Sequence, residues 1–164
     1  MLQDEEEYCV IRPKIAIVRD YIGAVNDNPF LHDLDPRAMT ESMNWLAADI
    51  ETAACRLAEM TGVENTVLAG IGETQKRARA AAMLGHINGE NALVTLSRTF
   101  MDYAAVPYFK LQDLEAEEKA GAGRFSCEKA NAAMKGLSEL HMLVKAIPAV
   151  YERLSAPAPY GAVA

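Results

Sequence analysis

Residues 35–62 read DPRAMTESMNWLAADIETAACRLAEMTG. Within them Met39, Met43, Leu46, Ile50, Ala53, Leu57 and Met60 recur at intervals of four, three, four, three, four and three. That spacing lays one apolar seam along one face of a helix. The ends are punctuated to match. Asp35 is a carboxylate placed to accept from the orphan N–H groups of a first turn. Pro36 stands at the first helical position, where no N–H is needed, and Gly62 is free to take the left-handed backbone that closes a last turn. The stretch predicts a helix over residues 36–60, roughly 38 Å long at 1.5 Å per residue. Arg37, Glu41, Asn44, Glu51 and Glu59 fall on its polar side, and Trp45 lies beside the seam, at a core edge or an interface.

A second seam of the same kind lies near the end of the chain. Ala130, Ala133, Leu137, Leu140, Val144, Ile147, Tyr151 and Leu154 again alternate three and four, behind Ser126 as N-cap. Pro148 falls inside this run. It cannot donate to the carbonyl of Val144, so a kink or a split is expected there. Two long seams invite helix pairing, within one chain or between two copies. The residues assigned to that pairing are Met39, Met43, Leu46, Ile50, Leu57, Met60, Leu137 and Val144.

Outward from these seams the chain reads as further helices. An acidic lead, residues 1–7, is expected to be flexible. A helix is expected over residues 8–25, with Ile11, Ile15, Val18 and Ile22 on one face. Pro13 lies inside that span, so the ordered helix is expected to start there, with Pro13 in its first turn. Asn26-Asp27-Asn28-Pro29 is a turn. A helical region is expected from Thr66 to His86. Ala81, Gly85 and Gly89, four apart, would give a smooth strip if the helix ran through them, but Asn88-Gly89 reads as a stop. Asn91 then caps a helix to about Ala105, and Pro107 opens a separate acidic piece to about Lys119. The sequence breaks at Gly121-Ala122-Gly123, and residues 155–164, rich in Ala and Pro, are expected to be disordered. The expectation is an all-α bundle of five or six helices, one domain over residues 8–154, with two long heptad-like helices.

Composition narrows the function. In 164 residues, 51% are apolar and 7% aromatic, and the formal charge is −7. An acidic chain is a poor coat for nucleic acid or an anionic membrane. Cys9, Cys55 and Cys127 are dispersed, with no CxxC, as expected of free thiols in a reducing compartment. The first residues are acidic where a signal peptide is basic, and no run of eighteen apolar residues offers a membrane span. The expected location is cytoplasmic.

Catalytic and metal patterns are not assembled. The residues three before His32, His86 and His141 are Pro29, Met83 and Ser138, so the Glu-x-x-His pairs of a di-iron bundle are missing. His86 and Glu90 are four apart, with Gly89 between them to break the geometry. Gly70-Ile71-Gly72-Glu73 lacks the third glycine of a dinucleotide loop, and there is no GxSxG. No catalytic residue, cofactor or metal ligand is assigned. His86 as a phosphoryl acceptor is set aside, because Ile87-Asn88-Gly89 is the wrong context.

Residues 74–98, TQKRARAAAMLGHINGENALVTLSR, resemble a helix-turn-helix DNA reader: Ala81 is followed four residues on by Gly85 and then by a second helix. The resemblance implies phosphate contacts from Lys76, Arg77, Arg79 and Arg98. Asn91 departs from it, standing where the second helix should bury an apolar residue.

Three functions follow in order of support. The first is a non-catalytic protein–protein interaction protein, an adaptor or regulator, itself a homodimer; three methionines on one seam favour adaptable partner contact. The second is a DNA-binding regulator using residues 74–98. The third is a helical enzyme or small-ligand-binding protein with a pocket between helices.

Overall fold

A computed structural model describes residues 14–26, 35–69, 72–89, 91–120 and 126–155. The described residues form six helices and no strand: α1 Lys14–Asn26, α2 Pro36–Thr61, α3 Thr66–Ala69, α4 Glu73–Leu84, α5 Ala92–Ala120 and α6 Cys127–Ser155. The all-α expectation stands. The acidic lead, Pro13, Cys9 and the segment beyond Ser155 lie outside the described residues.

Both ends of α2 form as their chemistry dictates. The Ala38 N–H donates to Asp35 Oδ1 at 2.8 Å, and Asp35 holds the extended backbone of an N-cap. Gly62 takes φ +74° and donates its N–H to Ala58 O. A Cβ is strained at that φ, so glycine is the residue that closes the turn cheaply. Ser126 caps α6 in the same way, its Oγ accepting from the Lys129 N–H at 3.3 Å.

The two seams meet inside one chain. Met39, Met43, Leu46, Ile50, Leu57, Leu137 and Val144 are all buried in a single core, with Met60 half-buried at its margin. Helices α1, α5, α6 and α2 pack in a ring, each on the next, which makes a four-helix bundle. Helix α1 runs antiparallel to α5. The Ile15 N–H donates to Glu118 Oε2, Arg19 pairs with Glu115, and Gly23 faces Tyr108, so one number falls as the other rises. Helices α3 and α4 lie outside this ring, against α6.

Two expectations need correction. Residues 66–86 are not one helix. Gly72 is extended, at φ −64° and ψ 162°, so α3 and α4 are separate pieces. Glycines at 70 and 72 each cost a helix about 1 kcal/mol against alanine. Asn65 instead starts α3, its Oδ1 accepting from Val67 and Leu68 N–H. As the stop expected at Asn88-Gly89 implies, Ala81, Gly85 and Gly89 share no helix: α4 ends at Leu84, and Gly89 holds φ +87°.

The second correction concerns the prolines. Helix α5 passes through Pro107 without a break, and α6 is not split at Pro148. An interior proline costs about 3 kcal/mol. On α5, Phe100, Ala104, Leu111 and Leu114 flank Pro107, and all four are buried on one face. Each large apolar side chain contributes about 1.5–3 kcal/mol on burial, so packing on both sides outweighs the lost hydrogen bond. No helix among the described residues is long and apolar enough to cross a membrane.

Candidate functional site

Helix α4 is attached to α6 by a narrow strip, with Ala80 and Leu84 buried against the bundle and Met83 half-buried. Its small side chains leave a groove on the surface between the two helices. One lobe, of about 650 Å³, lies over Ala81, Gly85, Ala146, Ala149 and Val150. A second, of about 250 Å³, continues past Met134 and Ser138 to α3. Lys76, His141 and Met142 line both lobes, so the two adjoin along α6 and together make up the trough.

Short tethers hold its walls. Ser138 Oγ donates to Met134 O at 3.0 Å, which leaves the Thr66 hydroxyl to donate to Ser138 Oγ at 2.5 Å and pin α3 to α6. Arg153 Nη2 donates to Ile87 O at 3.1 Å and ties the segment after α4 to the far end of α6. Lys76 Nζ donates to Val67 O at 3.2 Å.

The charge of the trough is opposite to that of the chain. Lys76, Arg77, Arg79, Lys135, Lys145 and Arg153 line it, six of the sixteen basic residues of a protein whose formal charge is −7. Glu139 is the one carboxylate along the walls among the described residues, and it belongs to the smaller lobe. None of the six cations is ion-paired among the described residues, and the two that are tethered donate to neutral carbonyls. The field inside a cleft lined by one sign of charge attracts the other sign.

His141 forms part of the floor and is 4% exposed. Its Nε2 stands 3.0 Å from Glu51 Oε1 on α2. A carboxylate only accepts, so Nε2 carries the proton and donates. Burial pushes the imidazole pKa below its usual value, with Lys145 and Lys76 adding to the effect and the Glu51 hydrogen bond opposing it. Burial thus favours the neutral imidazole at His141, with the Glu51 contact favouring the Nε2–H tautomer. Among the described residues no hydroxyl or thiol is hydrogen-bonded to it. The sequence gives no local sign of this pair, because its members are 90 positions apart.

The residues singled out from sequence sort into three places. The seam residues are in the core. Lys76, Arg77 and Arg79 meet at the trough, whereas Arg98 is on α5 and lines neither lobe. Helix α4 packs on α6 rather than on α5, so residues 74–98 lack the packed helix pair of a helix-turn-helix reader. Cys55 is half-buried and accepts from Asn65 Nδ2 at 3.5 Å, Cys127 is exposed, and among the described residues no three His, Cys, Asp or Glu side chains gather as a metal site. The exposed side of α5 carries Val94, Met101, Val106 and Phe109 interspersed with exposed Arg98, Asp102, Lys110 and Asp113, while Trp45 on α2 stands 74% exposed.

No protein-family model matches the chain, and no curated protein or solved structure matches it. The functional reading therefore rests on the residues alone.

Proposed function

We propose that the chain is a non-catalytic binding protein, an adaptor or regulator, whose partner docks in the trough between α4 and α6. The observation that carries this reading is the conjunction of an apolar, small-residue floor with six cations that pair with no carboxylate among the described residues. Lys76 is half-buried and the other five cations are exposed, so what draws an external anion is the summed field of six like charges along one groove. The dispersed cysteines support a reducing, cytoplasmic setting.

The homodimer belongs to the same proposal but needs a new surface, because the seams are occupied within one chain. The exposed apolar side chains Val94, Met101 and Phe109 of α5, set among charged neighbours, are what support it. Sedimentation at tens of micromolar tests this part: a monomer at that concentration removes it. The DNA reading keeps Lys76, Arg77 and Arg79 but loses the helix pair and Arg98. The trough reading has the stronger support.

Placing a photo-reactive side chain at Ala149, exposed in the trough, tests the docking claim in cells, with exposed Glu59 on α2 as the control position. A discrete protein adduct is expected from position 149 and not from position 59. Equal labelling at both, or none at 149, removes the reading.

A further inference from the structure

Resting on the trough as the partner site, we infer that the occupant is an acidic amphipathic helix of a protein partner. The first argument is the distribution of charge. Lys135, Lys145 and Arg153 lie on one helix, and from the first to the last they span 18 positions, about 27 Å of helix axis. A compact anion such as one phosphate or one carboxylate meets a single end of that row. An elongated partner with carboxylates on successive turns meets all of it.

The second argument is the floor. Ala81 and Gly85 on the α4 side and Ala149 on the α6 side are exposed and small. Small residues let a third helix axis approach to the 8–10 Å at which helices pack. Met134 and Met142 at the base are unbranched and repack around an incoming apolar side chain. An apolar stripe facing the floor, with Glu or Asp on its flanks facing Lys76, Arg77 and Lys145, satisfies the shape and the charge of the trough together. A basic or neutral helix satisfies the shape alone.

Three capped peptides of about 18 residues test this. They share one Leu/Ala face and carry Glu, Gln or Lys on the flanks, and binding to the full chain is read by calorimetry. The Glu peptide is expected to bind at least tenfold more tightly than the Gln peptide at about 0.05 M salt, with the advantage shrinking at about 0.5 M. R77E with K145E is expected to abolish the preference. R77Q with K145Q, which introduces no new charge, is expected to reduce it, with circular dichroism verifying the fold of each variant. If the Gln or Lys peptide binds as tightly as the Glu peptide, the acidic class is wrong while the trough stands as a helix site. If none of the three binds, both the inference and the trough reading fall.

Discussion

Gly136 and Pro107 meet where α6 crosses α5: a Cβ at Gly136 would stand 3.3 Å from the Cα, Cβ and Cδ of Pro107. The absence of a side chain at 136 is what admits the proline ring, and a ring cannot rotate away as a flexible side chain does. Gly136→Ala gains about 1 kcal/mol in helix propensity, but overpacking against a rigid neighbour costs about 1–3 kcal/mol. The expected net loss is about 1 kcal/mol in a urea melt, and Gly136→Leu is expected to lose more. Gly23 is the control. There the nearest atom to an added Cβ is Tyr108 Cε2 at 3.6 Å, an ordinary contact. Gly23→Ala is therefore expected to stabilise by up to about 1 kcal/mol. The same sign for both substitutions would show that the α5–α6 crossing has room to spare.

His141 makes stability depend on pH in a stated direction. Burial holds its folded-state pKa below the usual value, so the unfolded chain binds the proton more readily. Stability is then full above the unfolded pKa of about 6.5. It declines as pH falls through that value, and levels off below the folded pKa. Carboxylates that titrate lower add their own slope, so the difference between wild type and His141→Gln isolates the effect. That difference is expected to fall between about pH 7 and pH 5. A flat difference across that range would show that the imidazole is not held neutral.

The ion pair between Arg19 and Glu115 fastens α1 to α5. Glu115 is 8% exposed, and Lys119 Nζ approaches it at 3.1 Å from the same helix. Arg19→Met leaves the carboxylate buried with one exposed cation for company, and is expected to cost about 2–3 kcal/mol. Adding Glu115→Leu removes the stranded charge and is expected to restore most of that loss. A double mutant as unstable as the sum of the single changes would mean the two side chains act through packing alone.

Much of this fold is legible in the sequence because its determinants are local. Asp35, Pro36, Gly62 and Ser126 act on the turn they adjoin, and a seam at three-four spacing is a property of one helix. The prolines are misleading for the complementary reason. Pro107 looks like a helix start until Phe100, Leu111 and Leu114 are seen to be buried on both sides of it. The trough is harder still to read. Lys76, Arg77 and Arg79 stand out as a local cluster, but Lys145 and Arg153 join them only through the packing of α4 on α6. The same clustering without that packing resembles a DNA-binding helix. Glu51 and His141 are joined by tertiary structure alone.

The trough cations are not equivalent, and stability measurements should divide them. Arg153 donates to Ile87 O. Truncating it to Ala leaves that carbonyl without its partner and is expected to cost about 1 kcal/mol. Arg77 and Lys145 are exposed and bond to nothing among the described residues. Their substitution by Ser is expected to move stability by no more than about 0.5 kcal/mol. At low salt the change should be slightly upward, because each lies beside other positive charges and removing one relieves repulsion. Urea melts of the three single variants at low and high salt decide the matter. If Arg77→Ser or Lys145→Ser proves as costly as Arg153→Ala, those side chains hold the fold together, and their place on the trough would need no partner to explain it.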